Sequence, residues 1–397
     1  MARLVTSGLE ISLTGGSTGL DPQQSTGTVT RDTVIFRSGS RSLKCVDSTS
    51  FSIISQFPGP PTDIYFRGYW YFSDATPGND LTFVKETGNS SIVVCNLQLL
   101  TTGVLRLQNG AADTTIATGA TVLQDNTWYR IEIFIGLVVG NDNYEVRIDG
   151  VTEFSGSAAL TVATSIQGIN VGNVAGTVTL NTYLDDIAIN DNSGANQTSW
   201  PGSGKVVLCK PVSDVQDGSW TAGAGGTGDL SLAITNTPPV GSATPTNTSQ
   251  IRNTDASGDN ATDEYRANLT TYSNAGIVAA DTITLLHPVI NDGQEVATGT
   301  KTGSFGLQSN PSQTYLAFTY CDDVGASGTF PTNWRWHRGT VEYAPSVTLA
   351  SNPVMAVRKT DTGTRMAWVD GLFMYVEYVP FAGIPRHPAT DFNIALV

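Results

Sequence analysis

The chain is short of charge and of the side chains on which much chemistry depends. Only 14% of its 397 residues are Asp, Glu, Lys or Arg, against roughly 25% in an ordinary soluble protein. Low hydropathy joined to high charge is what keeps chains unfolded, so charge-driven disorder is excluded. Basic residues are the scarcer kind: 21 Lys and Arg face 35 Asp and Glu, a formal net charge of −14. Phosphate-backbone binding needs clustered cations, and a nucleic-acid partner is therefore not expected. The four cysteines (Cys45, Cys95, Cys209 and Cys321) are far apart with no Cys-x-x-Cys pair. That excludes a zinc knuckle or thioredoxin-like motif and argues against a disulfide framework. Three His and four Met leave few candidates for metal or acid–base chemistry. No run of about 18 apolar residues occurs, so no membrane insertion is expected. The N-terminus also lacks the apolar core of a signal peptide.

What is present is Gly, Thr, Ser and Asn, arranged in period-two patterns. Tyr144-Glu145-Val146-Arg147-Ile148-Asp149-Gly150 alternates apolar and charged positions and stops at an Asp-Gly turn, the signature of a half-buried strand entering a hairpin. Trp128–Ile135 alternates similarly. Tyr65–Phe72 is aromatic at nearly every position, as in a strand with one face in a core and the other under a loop or neighbour. Further strands are expected at 32–36, 41–46, 81–85, 91–99, 103–108, 167–172 and 177–189. Their short spacing is that of a sandwich or jelly roll. Helix signals are thin, the best being a short stretch at 122–126. In the second half, strands are expected near 263–272, 281–290, 302–308, 313–321, 338–343, 353–359 and 366–379. The last lacks strict alternation, which implies burial on both faces or a bend at Gly371.

The fold class expected is all-β: two jelly-roll-like β-sandwich domains in tandem. The first covers 1–192. A polar, turn-forming linker follows at 193–204, with one aromatic, Trp200, placed to pin it to a surface. The second domain covers 205–380 and includes a long irregular segment at 221–262. An extended tail, 381–397, is a candidate clasp for a neighbouring subunit.

Motif order then carries a resemblance. Arg37–Lys44, Phe66–Phe72, Phe83–Asn89, Trp128–Glu132, Tyr144–Gly150 and the closing Tyr183–Ile189 follow one another as in the laminin-G/concanavalin A-like jelly-roll superfamily. The junction, Asp185–Asp191 with Trp200-Pro201-Gly202 and Lys205–Leu208, resembles structural proteins of tailed bacteriophages. The resemblance covers about 1–220. It implies a virion component, on the head surface (as in capsid decoration) or the tail, assembled in the host cytoplasm and then extracellular. Its implied partners are further copies of itself in a homo-oligomer, and capsid or tail subunits.

Candidate sites are few. Glycoside hydrolysis needs two carboxylates set across the sugar. The Glu-x-Asp-x-x-Glu spacing of the superfamily's catalytic strand is absent, so no enzyme activity and no catalytic residue are expected. Arg130/Glu132 and Glu145/Arg147/Asp149 read as exposed strand faces with compensating charges. Asp185 and Asp186 could offer oxygens to Ca²⁺, against the simpler reading that one caps a turn. No other cofactor is expected. Trp334-Arg335-Trp336-His337 is chemically the most unusual stretch. With Trp200, the residues Trp334, Trp336 and His337 are candidates for a subunit interface or a glycan-stacking platform. The leading functional expectation is a structural virion protein acting through subunit contacts. The alternative is a carbohydrate-binding module that adheres to host surface glycans.

Overall fold

The structure is a computed structural model. It describes residues 3–10, 24–216 (apart from 56, 58, 59 and 111), 220–222, 230, 251–253, 264–294, 302–307, 316–319, 335–339, 341–359 (apart from 344 and 346) and 367–381. The fold is all-β, with the jelly-roll-like sandwich architecture the alternation implies.

The first half of the chain contributes β1 (Arg3–Ser7), β2 (Gln24–Asp32), β3 (Ser42–Ser55), β4 (Asp63–Phe72), β5 (Leu81–Gly88), β6 (Val93–Leu99) and β7 (Leu105–Asn109). It continues with β8 (Thr115–Thr118), β9 (Trp128–Gly136), β10 (Asp142–Ile148), β11 (Val151–Ala158), β12 (Ile166–Ala175) and β13 (Asn181–Asn190). All thirteen belong to one sheet, ordered β11-β10-β9-β4-β13-β3-β12-β5-β6-β7-β8, with β1 added on β13 and β2 on β3. The sheet turns at β3. Leu43–Val46 pair with β13, Ser50–Ser55 pair with β12, and Asp47 and Thr49 between them both have φ of 57°. A left-handed kink of this kind lets one strand serve two layers. The core between the layers holds Phe66, Trp70, Phe72 and Phe83, with Ile131, Ile133 and Ile135 from β9 and Leu105 and Leu107 from β7. Trp70 meets Phe83 edge-on at 4.8 Å between centroids.

Local outcomes follow from named hydrogen bonds. The Asp149-Gly150 turn has φ of 53° and 88°, which these two residue types tolerate best. The segment 32–36 is a turn and not a strand: Asp32 Oδ1 accepts the N–H groups of Val34 and Ile35 at 2.8 and 2.7 Å. The strand lies earlier, in β2. Residues 122–126 form no helix. Asn126 is left-handed at φ 56° and its N–H donates to the Phe72 carbonyl at 2.9 Å.

The second half contributes β14 (Lys205–Cys209), β15 (Pro211–Gln216), β16 (Trp220–Ala222), β17 (Ile251–Asn253), β18 (Glu264–Leu269) and β19 (Thr282–Gln294). It ends with β20 (Thr302–Leu307), β21 (Leu316–Thr319), β22 (Arg335–Arg338), β23 (Glu342–Tyr343), β24 (Val354–Lys359) and β25 (Ala367–Val379). One sheet runs β16-β17-β25-β19-β22, with β14 on β25 and β23 on β19; the other runs β15-β18-β24-β20-β21. Tyr265, Phe305, Met355, Val357 and Met374 are in the core they share. β25 is buried on both faces: Met374 and Val376 face that core, while Phe373 and Tyr375 pack with Val206, Leu208 and Val289. Its register with β19 shifts between Gly371 and Val369. Residues 382–397 of the proposed 381–397 clasp lie outside the described residues, as do most of 221–262.

A buried polar network joins the sheet of the first half to β14 and β25. Glu377 receives the guanidinium of Arg3 at one oxygen and that of Arg67, at 2.8 Å, at the other; both arginines have no exposed surface. Burial alone would raise the Glu377 pKa, but Arg3 and Arg67 outweigh it and bring it down to about 2. Arg67 also donates to the carbonyls of Asp186 (3.1 Å) and Gly202 (3.2 Å). Close approach requires glycine here: a Cβ on Gly204 would stand 2.7 Å from both Arg67 Nη1 and Glu377 Oε1, and one on Gly8 would stand 2.6 Å from the Val206 carbonyl oxygen.

Candidate functional site

The outer face of β3, β12 and β5 carries a groove of about 390 Å³, lined by Ile53, Lys85, Thr87, Gly88, Ser91, Gln167, Gly168 and Asn170. This volume lies within the range of small-ligand sites, roughly 300–1,000 Å³. Alternation along β5 sets the lining: Val84 and Glu86 are buried, while Lys85 and Thr87 face out. On β12, Ile166, Ile169 and Val171 all point into the core, which strict alternation would forbid. The register shift between Ile166 and Gly168 inserts the extra residue and lets Gln167 and Asn170 line the same face.

Gly88 is required by close packing on the inner side of β5: a Cβ there would meet Ala163 Cβ at 2.4 Å and the Ser165 carbonyl oxygen at 2.7 Å. The rim is a 3-10 turn, Asn89–Ser91, with Ser90 and Ser91 at φ 58° and 60°. Asn89 holds this turn to the neighbouring loop by accepting the Thr164 N–H at its side-chain oxygen, 2.9 Å. Thr87 Oγ1 donates to the Gly168 carbonyl at 3.2 Å. The groove therefore presents two amides, two hydroxyls and one ammonium on a hydrogen-bonded sheet. No carboxylate lines it among the described residues.

Directly behind Lys85, on the inner face, sits Glu86. Its carboxylate is fully buried, with no partner of good hydrogen-bonding geometry. The thiol facing it is that of Cys95, its cross-strand neighbour. Burial pushes the Glu86 pKa up to about 8, and the Cys95 contact offsets only part of this. Nothing in the sequence marked this residue. Cys45, Cys95 and Cys209 are all buried free thiols, and burial takes Cys45 and Cys209 to about 12. They are packing residues.

The residues singled out from sequence fall elsewhere. Asp185 and Asp186 are both fully buried because a bulge in β13, with Asp186 at φ 51°, turns consecutive side chains inward. Asp185 accepts the N–H groups of Arg37 (2.8 Å) and Ser38 (3.2 Å). Asp186 accepts the Arg37 guanidinium, the Ser38 hydroxyl and the Val206 N–H at 2.6 Å. Burial, then the adjacent Asp186, pushes the Asp185 carboxyl well above the usual range. These oxygens accept from protein donors that tie β14 to the first sheet. Among the described residues no group of three or more His, Cys, Asp or Glu is placed to hold a metal ion.

Glu132, expected on an exposed face, is 1% exposed. It lies beneath the 193–204 segment, accepting the Gly202 N–H at 3.1 Å and pairing with Arg130. Glu145 pairs with Arg147 at 2.7 Å and accepts the Thr152 hydroxyl. Trp200 packs edge-on to Tyr65 (5.4 Å) and Phe134 (6.3 Å), with the Arg147 guanidinium 4.0 Å from its ring centre. It is thus attached to the β4–β9–β10 face, not to the groove. Trp336 and His337 lie on β22, opposite Asn291 and Ile290 of β19. Their side chains, and Trp334 altogether, lie outside the described residues.

No protein-family model matches the chain, and no curated protein matches it. Solved structures of similar shape exist for part of it. The cellulose-induced protein Cip1 is 19% identical with a TM-score of 0.36, covering 44% of this chain and 88% of its own. Domain 4 of AbnA, an extracellular GH43 arabinanase from Geobacillus stearothermophilus, solved in complex with arabinotriose, is 14% identical with a TM-score of 0.31; 42% of this chain and 76% of that one are covered. A Trypanosoma rangeli sialidase mutant is 12% identical with a TM-score of 0.31, covering 48% of this chain. The chain spans only 31% of that sialidase.

Proposed function

We propose that the chain is a carbohydrate-binding module, acting without turnover, whose binding face is the groove over β3, β12 and β5. The observation that supports this is the lining itself. Gln167 and Asn170 each offer a donor and an acceptor, as a sugar's adjacent hydroxyls require. Thr87 and Ser91 add hydroxyls. The carboxylates outside the groove support binding over hydrolysis: Glu132 and Glu145 are each held by an arginine. The virion setting implied by motif order would give such a module a surface to act on, and is compatible with it.

A glycan array is the test, with arabinotriose, the ligand in the arabinanase-domain structure, among the first sugars tried. Retention of at least one glycan class is expected, lost at least tenfold in Asn170→Ala and Gln167→Ala variants whose melting temperatures match the parent. An array with nothing retained at millimolar concentrations would sink the reading.

A further inference from the structure

The groove carries a single charge, of the sign this molecule has least of. With 21 basic residues against 35 acidic, most described cations sit beside carboxylates. Arg3 and Arg67 are on Glu377, Arg37 on Asp186, Arg106 on Asp80 and Arg147 on Glu145. Lys85 has no carboxylate partner among the described residues, although it lies half-buried in a groove wall. The nearest acid in sequence, Glu86, points through the sheet into the core. An ammonium placed among two amides and two hydroxyls, with no anion at hand, is a built counter-charge.

We infer that the groove selects saccharides bearing an anionic substituent, a carboxylate or a sulfate, over their neutral counterparts, with Lys85 as the cation that receives it. This rests on the groove being a saccharide site. Charge-assisted hydrogen bonds are roughly twice as strong as neutral ones. The half-buried setting protects the pair from full solvent screening. The net negative charge of −14 disfavours anions over most of the surface. Gln167, Asn170, Thr87 and Ser91 then read ring hydroxyls.

Matched pairs test it: trigalacturonate against its trimethyl ester for the carboxylate source, and 3′-sulfolactose against lactose for the sulfate source, each titrated at low and high salt. At least one acidic member is expected to bind about tenfold more tightly than its neutral partner, with the ratio shrinking in salt. The ratio should collapse toward one in Lys85→Met and persist in Lys85→Arg, both checked for an unchanged melting temperature. Equal binding within both pairs overturns the inference while leaving the groove a saccharide site. Persistence of the preference in Lys85→Met overturns it too. No binding in any pair, alongside an empty glycan array, overturns both readings.

Discussion

Removing the negative charge of Glu377 should separate a structural ion cluster from incidental contact. Glu377→Gln keeps the shape but leaves Arg3 and Arg67, neither with exposed surface, side by side without an anion. Deleting one member of a buried ion cluster costs about 3–5 kcal/mol. The pKa gives a second route to the figure. Held at about 2 against an ordinary 4.5, the carboxylate contributes about 3 kcal/mol at neutral pH. Because the folded value is the lower one, this contribution is complete above pH 4.5 and is lost as pH falls toward 2. Urea unfolding of parent and variant, followed by tryptophan fluorescence, should therefore show a gap of about 3–5 kcal/mol at pH 7 that narrows as pH falls from 4.5 toward 2. A gap under 1 kcal/mol at pH 7, or one indifferent to pH, would refute the reasoning.

Two further outcomes are expected. Glu86 has a folded pKa of about 8, raised by burial from 4.5. Its ionisation in the unfolded chain alone should thus cost the fold about 5 kcal/mol between pH 4.5 and 8; urea titrations of Glu86→Gln should lack that decline and exceed the parent in stability at pH 9. Trp200→Ala removes an aromatic contact with Tyr65 and Phe134 and should lower stability by about 1–3 kcal/mol. Glycan retention should be unaffected, since Trp200 lies on the β4–β9–β10 face; a loss of binding would move the site there.

Strand identity was legible where alternation is regular; β1, β2 and β11 were not anticipated, although β1 and β11 also pack against the core. The alternation of Tyr144–Gly150 reappears as the burial of Tyr144, Val146 and Ile148, and the Asp-Gly turn forms as its chemistry dictates. Tyr65–Phe72 divides as expected, Phe66, Trp70 and Phe72 inward, with Tyr65 under Trp200. The ion cluster was not legible, because Arg3 and Glu377 are separated by 374 positions and each reads locally as a surface charge. Glu132 was misjudged for the same reason: its cover, Gly202, comes from a segment 70 residues away. The groove was hidden differently. Its residues are ordinary outward positions on three strands, and the break in alternation at Ile166-Gln167-Gly168-Ile169, which puts Gln167 and Asn170 on one face, was not read as a bulge.

The most direct measurement is a heteronuclear NMR titration of the isotope-labelled chain with the best glycan from the array. Shift changes should concentrate on the amides of residues 85–91 and 167–170 and on the side-chain NH₂ groups of Gln167 and Asn170. Changes centred on Trp200 and Tyr65 instead, or none at saturating sugar, would contradict the account.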